Sequence, residues 1–157
     1  MSNLEGLQPD HEFESAIDRT TLIGEGTSRL VYPVKGRENV VIKESKGPFH
    51  HANFVEWTIW HSLLKMGEDI LGNEPNEELR HRFATCFSIS YSAKFIMMER
   101  LEKLEPPYHP TPGMFPEWLN DKKASAFGKT DTGQIKVMDY GLVDFYQVLN
   151  PLNKMSF

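Results

Sequence analysis

The chain has 157 residues, of which 39% are hydrophobic and 25% are charged; this length and composition predict one soluble globular domain rather than a disordered protein. Its formal net charge is −5 and no stretch is densely basic, so we predict no direct binding to nucleic acid, which depends on clustered lysines and arginines. No apolar run approaches the roughly 20 residues of a membrane helix, and the acidic N-terminus lacks the pattern of a signal peptide, so we predict no membrane partner.

The N-terminal part of the chain predicts three short strands. Residues 1–20 look like a polar lead-in that could hold a short helix over Glu12–Asp18. Apolar and β-branched residues predict strands at Thr21–Ile23 and Arg29–Val34, on either side of the glycine-rich segment "GEGTS". After a turn at "GREN", the alternating residues of Val40–Ser45 predict the third strand.

A long helix, two strands and a hairpin follow. The segment "NFVEWTIWHSLLKMG" has apolar residues at helical spacing and ends at Gly67, which is typical of a helix C-terminus. "FATCFSISY" and "KFIMMERL" predict two strands joined by a short turn. Residues 102–120 hold five of the ten prolines and predict an extended link. "SAFGKTDTGQIKVMDYG" predicts a hairpin that turns near Thr130–Gly133, and the tail allows a short helix that ends before Pro151.

These elements predict the fold class α+β, with an antiparallel sheet of about five strands, one long helix and a minimal C-terminal hairpin. We divide the predicted single domain, residues 1–157, into a lead-in (1–19), a sheet-bearing part (20–101), a proline-rich link (102–120) and a C-terminal hairpin with its tail (121–157). The link carries aromatic residues between its prolines. It either offers a surface to a partner or seals the open end of the core, and we favour the sealing role.

Three features of the N-terminal part could together bind a phosphate group. Gly24 and Gly26 would let backbone amides approach an anion, although an isolated Gly-x-Gly hairpin is more often only a turn. Lys43 ends an apolar strand, where its ammonium group either pairs with phosphate oxygens or reaches into water. Glu56 lies among large apolar residues of the helix. If Glu56 faces inward it needs a cation such as Lys43, and otherwise it lies at the solvent boundary of the helix.

Two aspartates in the C-terminal part extend this pattern. Asp139 ends the short apolar run "IKVMD" and is followed at once by Tyr140 and Gly141. A residue in that position is either part of a plain turn or a carboxylate held at a sheet edge to bind a metal carried by phosphates. Asp121, in "WLNDKKASAFG", is joined to Asp139 by the predicted hairpin, which would bring the two carboxylates near each other. We interpret all these features together as a phosphotransfer site.

The order of these motifs resembles the protein-kinase-like superfamily: a Gly-x-Gly loop, a strand lysine, a helix glutamate, Asp-x-Lys and Asp-aromatic-Gly. In layout the chain is most similar to the small kinase-like proteins of bacteriophages, and the resemblance implies the N-terminal lobe of a kinase as the fold. Arg29 stands at the place of the third glycine of the loop, and Met98 near the gatekeeper position. The residues that the resemblance assigns to nucleotide binding are Gly24, Gly26, Val31, Lys43, Glu56, Glu99 and Leu101.

The same resemblance assigns Asp121 and Lys123 to catalysis and Asp139 to the binding of Mg²⁺, with ATP and Mg²⁺ as the implied cofactors. Three departures from the family pattern bear on activity. Asp121 comes only 21 positions after Arg100, which leaves no room for the long helices that normally scaffold the catalytic loop. Ala126 stands where the family carries a metal-binding asparagine, and an alanine methyl group cannot ligate Mg²⁺. The residues after Gly141 are too few for the helices that dock a peptide substrate in a full kinase.

We therefore predict a pseudokinase-like protein that acts by binding a host or partner protein, with residual nucleotide binding. The alternative is a minimal ATP-dependent Ser/Thr protein kinase or another small phosphotransferase. A kinase-like half would expose apolar surface where the large lobe usually packs, which also predicts a homodimer or a tight complex. The single cysteine, Cys86, cannot form an internal disulfide, and with no export signal we predict a cytoplasmic protein, in the host cytoplasm if its source is a phage.

Overall fold

This computed structural model describes residues 5–67, 80–105, 108–111, 114–115, 119, 123–141 and 143. The described residues fall into two compact units, the first within Met1–Trp57 and Thr85–Arg100, the second within Thr58–Ala84 and Leu101–Phe157. The first unit holds β1 (Gly6–Gln8), α1 (Asp10–Ala16), β2 (Gly24–Glu25), β3 (Arg29–Val34), β4 (Arg37–Ser45), β5 (Cys86–Ser90), β6 (Phe95–Glu99) and, as far as Trp57, helix α2 (His51–Gly67). The second holds the rest of α2, β7 (Glu102–Lys103), a 3₁₀ helix (Ala124–Ala126), β8 (Phe127–Lys129) and β9 (Ile135–Val137).

The described chain is α+β, but the main sheet differs from the predicted one in strand number and in the direction of one strand. It has six strands in the order β1-β5-β6-β4-β3-β2, where the sequence predicted about five. Four neighbouring pairs are antiparallel, while β1 lies parallel to β5. The polar lead-in predicted for residues 1–20 is therefore wrong over Gly6–Gln8, which form this additional edge strand.

Helix α1 covers one face of the six-stranded sheet. Its apolar residues Phe13 and Ala16, with Ile17 directly after the helix, recur at helical spacing and are almost completely buried. Asp10 and Glu12 in the first turn stabilise the helix through its dipole. The ring of Phe13 stacks on that of Phe95 at 5.8 Å. The other members of this core come from the sheet: Val34, Val40, Ile42 and Met97, with Tyr32 and Phe87 at its margin.

Strand β4 lies between β3 and β6, and its alternation decides which side chain faces which way. Val40 and Ile42 belong to the core under α1, so Lys43, one position further, points to the opposite face. In register, Gly24 of β2 is opposite Val31 of β3, and Val31 is opposite Lys43. The sheet therefore aligns the glycine hairpin and the strand lysine in one row across three strands.

The second unit contains the predicted C-terminal hairpin. β8 and β9 are antiparallel neighbours, and β7 pairs with β8 to make a three-stranded sheet. The turn closes where it was predicted, because the amide of Thr130 donates to the carbonyl of Gln134 and Gly133 adopts a positive φ of 89°. Gly128 in β8 is required by a close approach, since a Cβ atom placed there would lie 2.6 Å from the Cβ of Leu101.

Two aromatic residues of the proline-rich link pack inside the second unit. The ring of Tyr108 lies 5.3 Å from that of Phe127, and the ring of Phe115 lies 5.1 Å from the same ring. Phe115 also contacts Phe83 edge-on at 6.4 Å and is buried. These two side chains therefore pack inside the second unit, and the sealing role that we favoured for the link stays a prediction. Trp118 and the tail helix predicted before Pro151 lie outside the described residues.

Within the described ranges, no helix is long and apolar enough to cross a lipid bilayer.

Candidate functional site

The candidate site in the first unit begins with a tight glycine hairpin. Strands β2 and β3 are joined by a turn in which the amide of Gly26 donates to the carbonyl of Arg29 at 2.9 Å. Neither glycine is demanded by local packing. A Cβ atom at Gly24 would meet Val31 only at 3.9 Å, and one at Gly26 would meet the Arg29 carbonyl at 4.0 Å. Both glycines thus leave open space where a side chain would stand, while the amide of Gly26 is already bonded within the turn.

Lys43 and Glu56 form a buried ion pair. The Lys43 Nζ donates to both carboxylate oxygens of Glu56, at 3.2 Å each. Glu56 is 0% exposed and Lys43 only 6%. The inward-facing alternative for Glu56 is therefore the one that the fold adopts. The pair arises because β4 directs Lys43 away from the α1 core and α2 directs Glu56 toward the same face of the sheet.

Arg29 is a second cation on Glu56. Its two terminal nitrogens contact the two carboxylate oxygens, Nη1 with Oε1 and Nη2 with Oε2, the latter at 3.2 Å. Arg29 and Lys43 lie on adjacent strands, two positions apart in register, so their side chains share a face of the sheet. A planar guanidinium that meets a carboxylate with two donors makes a directional interaction, which a single ammonium group does not provide.

Asn53 completes this cluster from the preceding turn of α2. Its Oδ1 accepts a hydrogen bond from Arg29 Nη1 at 3.2 Å. Its Nδ2 donates to the carbonyls of Ala93 and Lys94, at 2.9 Å each, and to Ser45 Oγ at 3.2 Å. Asn53 is 0% exposed. One amide side chain therefore connects the helix to the glycine hairpin, the end of β4 and the turn before β6.

Burial determines the energetics of this group of four residues, which we call the Glu56 cluster (Arg29, Lys43, Asn53 and Glu56). Charged groups removed from water are retained only where partners compensate the lost hydration. Each charged member of the cluster has a partner of opposite charge within hydrogen-bonding distance. Removing Glu56 would leave two buried cations without their anion, which is the costly way to disrupt a buried ion pair, whereas removing one cation leaves Glu56 with the other.

The end of β6, where the predicted gatekeeper Met98 lies, takes part in hydrogen bonds within the first unit. Met98 is buried, and Glu99 pairs with Val40 across β4 and β6. The Glu99 carboxylate accepts a hydrogen bond from the amide of Thr85 at 3.1 Å. Leu101 belongs to the second unit, where it is half-buried next to Gly128. An adenine-binding role for Glu99 and Leu101 stays a prediction.

Of the residues assigned to catalysis and metal binding, Lys123 and Asp139 belong to the second unit. Asp121 lies outside the described residues. Lys123 is exposed just before the 3₁₀ helix, and Asp139 is half-buried after β9. The amide of Asp139 donates to the carbonyl of Ala126 at 3.3 Å, so the backbone of Ala126 contacts the aspartate segment while its side chain offers only a methyl group.

Tyr140, next to Asp139, also anchors this segment within the second unit. Its hydroxyl donates to the carbonyl of Ala84 at 2.7 Å, and its ring lies edge-on to Phe83 at 5.1 Å. Tyr140 is 1% exposed. Among the described residues, no group of three or more His, Cys, Asp or Glu side chains is placed to hold a metal ion. The described residues include Asp139, and its predicted role as a ligand of Mg²⁺ stays a prediction.

Sequence reasoning missed the roles of Arg29 and Asn53. Arg29 was noted only as standing at the place of a glycine, and Asn53 was not singled out. Asn53 and Glu56 are two polar residues three positions apart that stand among large apolar residues of the helix, and this spacing places both on one face. That spacing was the available signal for a buried polar cluster. No comparable signal identifies Arg29, because its contact with the helix depends on the pairing of β3 with β4.

No protein-family model matches the chain, and comparison with curated proteins finds no match. Among solved structures, the chain is similar to a pseudokinase in its apo form, with a TM-score of 0.49 and 12% sequence identity. The similarity covers 89% of this chain and 63% of the other, so the chain spans less than two thirds of that structure.

Proposed function

We propose that this chain is a kinase-like protein of the pseudokinase type, which acts by binding a partner protein and keeps a residual phosphate-binding site. The observation that carries the proposal is the buried pair of Lys43 and Glu56, aligned with the glycine hairpin. A strand lysine held by a helix glutamate and placed in line with open glycine backbone is the arrangement that the resemblance to kinases predicts.

In this proposal the phosphates of a nucleotide bind to Lys43 and to the backbone of the hairpin. Gly24 and Gly26 support it because their lack of a side chain is not explained by the packing of the chain itself. A ligand that approaches the backbone closely is a second reason for glycine at such positions. Asp139 is proposed to ligate a Mg²⁺ ion that arrives with the phosphates, and Val31, Glu99 and Leu101 to contact the base.

Two features favour binding over fast phosphoryl transfer. Ala126, at the place of the metal-binding asparagine, is 1% exposed and offers only a methyl group. Arg29 fills the position of the third loop glycine with a long side chain that is committed to Glu56. Since phosphoryl transfer depends on charge neutralisation and exact positioning, a missing metal ligand reduces its rate.

The partner is proposed to be a protein, which would be a host protein if the chain comes from a phage, or a second copy of the chain in a homodimer. Large apolar side chains at the surface of the first unit support this part. Phe49 is 81% exposed just before α2, and Phe54 is 54% exposed on its first turns. Exposed aromatic residues that lie close in sequence are typical of surfaces that bind other proteins. Light scattering on the purified chain distinguishes the two partners, because only the homodimer gives twice the chain mass.

A second candidate function is a minimal ATP-dependent phosphotransferase, such as a small Ser/Thr kinase. The specific observation in its favour is that the Lys43–Glu56 pair is fully formed and Asp139 is retained. Lys123 and Asp121 would then act in catalysis. This candidate requires transfer of the γ-phosphate from ATP to an acceptor, whereas the first candidate requires only binding.

The test is a thermal-shift titration with ATP, with and without Mg²⁺, on the wild type and on Lys43→Met. A ligand that binds only the folded state stabilises it by roughly 2.7 kcal/mol at a hundredfold excess over Kd. We expect a shift for the wild type that is lost in Lys43→Met and kept in the control Lys35→Met, since Lys35 is exposed. No shift for the wild type at millimolar ATP would refute the nucleotide-binding part of the proposal.

A phosphoryl-transfer assay with γ-labelled ATP separates the two candidates. If the chain is a pseudokinase, neither the chain itself nor a general protein acceptor becomes labelled. Labelling that disappears in Asp139→Asn and in Lys43→Met would instead establish the phosphotransferase.

A further inference from the structure

We propose that Arg29 is a latch that holds the glycine hairpin and α2 together in the absence of any ligand, so that Lys43 can exchange Glu56 for a phosphate oxygen without the helix losing its partner. The part concerning Lys43 rests on the proposed function, while the latch itself does not. The two cations on Glu56 would thus have different tasks: Arg29 positions, and Lys43 binds.

The geometry of the two contacts supports this division. Arg29 meets Glu56 through two nitrogens, one on each carboxylate oxygen, in the paired arrangement that guanidinium and carboxylate groups form best. Lys43 reaches both oxygens from one nitrogen, at 3.2 Å each. An ammonium group on a flexible stem can move to a new anion at small cost, whereas a bound planar guanidinium is fixed in orientation.

Asn53 strengthens the contact of Arg29 and not that of the Lys43 ammonium. Its Oδ1 accepts from Arg29 Nη1, so the guanidinium is oriented by two acceptors, both of them on α2. Both acceptors are 0% exposed. Buried hydrogen bonds of this kind are costly to break, because each separated polar group would remain buried without a hydrogen-bond partner.

The position of Arg29 in the hairpin explains how holding one side chain holds the whole turn. The Arg29 carbonyl accepts from the amide of Gly26, which closes the turn, and the neighbouring Ser28 carbonyl accepts from the amide of Lys46. In register, Arg29 is opposite Ser45. A side chain anchored to α2 at this residue therefore restricts both the turn and the end of β4.

Hydrogen exchange on the complete, ligand-free chain tests the latch directly. We expect Arg29→Met to speed exchange at the amides of Gly26 and Phe54 by at least tenfold, since these report the hairpin and the first turn of α2. Lys43→Met should change the same amides by less than threefold, because Glu56 keeps Arg29. The amides of Lys35 and Asp18, which bond to Ala16 and Pro33 on the α1 side, should exchange as in the wild type and show that the fold is intact.

Unchanged exchange in Arg29→Met, or equal acceleration by Lys43→Met, would overturn the latch. If Arg29→Met does not fold, Arg29→Lys takes its place. An ammonium group cannot reproduce the paired hydrogen bonds, so the latch predicts faster exchange at Gly26 there too, and wild-type exchange in that variant would count against it.

Calorimetric titration with ATP and with inorganic tripolyphosphate supplies the second readout. We expect Lys43→Met to abolish binding and Arg29→Met to weaken it about tenfold, because the hairpin is no longer held closed. If exchange is faster in Arg29→Met but the wild type does not bind ATP, the latch is supported and the proposed nucleotide site is refuted. Binding that survives in Lys43→Met but is lost in Arg29→Met would refute the division of tasks.

Discussion

Asn53 and Glu56 lie three residues apart on the same face of α2, and both accept hydrogen bonds from the guanidinium group of Arg29. The helix therefore directs two polar side chains into the sheet from a face that is otherwise apolar. Because both are fully buried, α2 is joined to the sheet by directional bonds as well as by packing. The position of the helix thus depends on a few residues whose loss can be tested.

The substitution Asn53→Ala removes the amide that connects α2 to the turn before β6. The carbonyls of Ala93 and Lys94 and the guanidinium of Arg29 each lose a buried partner. We expect the free energy of unfolding to fall by about 2–4 kcal/mol, measured by urea denaturation. Asn39→Ala is the matched control, because Asn39 is exposed, and its effect should stay within about 0.5 kcal/mol. Equal effects in the two variants would show that the Asn53 bonds contribute nothing net.

The hydroxyl of Tyr140 is predicted to stabilise the segment that carries Asp139. Tyr140→Phe keeps the ring packed against Phe83 and removes the hydroxyl that makes the 2.7 Å bond to the Ala84 carbonyl. We expect a loss of about 1–2 kcal/mol in the free energy of unfolding. Tyr91→Phe serves as the control because Tyr91 is 66% exposed. A thermal-denaturation scan in which both variants match the wild type would contradict the prediction.

Gly128 is predicted to tolerate no side chain. In Gly128→Ala the new Cβ atom would lie 2.6 Å from the Leu101 Cβ and 3.0 Å from the Glu102 carbonyl oxygen, so β7 and β8 would have to separate. Such a steric conflict in a packed region costs about 1–3 kcal/mol or more. In contrast, Gly47→Ala should be nearly neutral, since nothing lies within 4 Å of the added atom. The comparison is made by chemical denaturation of both variants side by side, and a neutral Gly128→Ala would contradict the prediction.

The ion pair of Arg19 and Glu44 is predicted to make stability depend on pH. Two hydrogen bonds of 2.9 Å from Arg19 lower the pKa of Glu44 below its ordinary value of 4.5, more than burial raises it. A carboxyl group whose pKa is lower in the folded state stabilises that state above pH 4.5, and this stabilisation is lost as the pH falls through the folded-state pKa. The pair therefore contributes at neutral pH and not in acid.

Arg19→Met should accordingly lower the free energy of unfolding at pH 7 by about 1 kcal/mol or less, since the arginine is partly exposed. The difference from the wild type should shrink as the pH falls through the folded-state pKa of Glu44, because the carboxyl group then becomes protonated in both proteins. Urea titrations at several pH values measure it, with the exposed Arg100→Met as the control. A difference that grows in acid would have the wrong sign for this mechanism.

The sequence predicts those elements well that carry a strong local pattern. The strand predicted at Arg29–Val34 is β3 with the same bounds, and the predicted turn of the C-terminal hairpin is found at Thr130–Gly133. Helix α2 extends over the predicted apolar stripe. In each case the alternation of apolar residues or the turn residues themselves are sufficient, so tertiary context only confirms a local preference.

The elements that were missed depend on distant partners. β1 consists of Gly-Leu-Gln, which has no strand pattern, and it becomes a strand only because β5 offers it an edge. The strand predicted at Thr21–Ile23 is wrong in position, since β2 covers Gly24–Glu25, where Gly24 pairs with Val31. The segment "GREN" was predicted as a turn. In the structure the chain reverses at Gly36, which has a positive φ of 73°, and β4 begins directly after it at Arg37.

The candidate site shows the same limit. The contact between Lys43 and Glu56 could be expected from charge and burial, because an inward-facing glutamate requires a cation. The contact of Arg29 with the same carboxylate could not, since it follows from the register between β3 and β4 and from the direction in which α2 crosses the sheet. The proximity of Arg29 on β3 to Lys43 on β4 can be predicted only when the pairing of the two strands is known.

The parallel pairing of β1 with β5 has a consequence for the order in which this protein folds. Gly6 pairs with Ser88, so β1 is completed by a strand that lies 82 positions later in the sequence. On the ribosome, β1 emerges long before its partner strand exists, whereas α1 can already dock on the nearby strands β3 and β4. Contacts between residues so far apart in sequence form late and slowly, because a long loop has to close first. The strand β1 therefore stays unpaired until β5 has been synthesised.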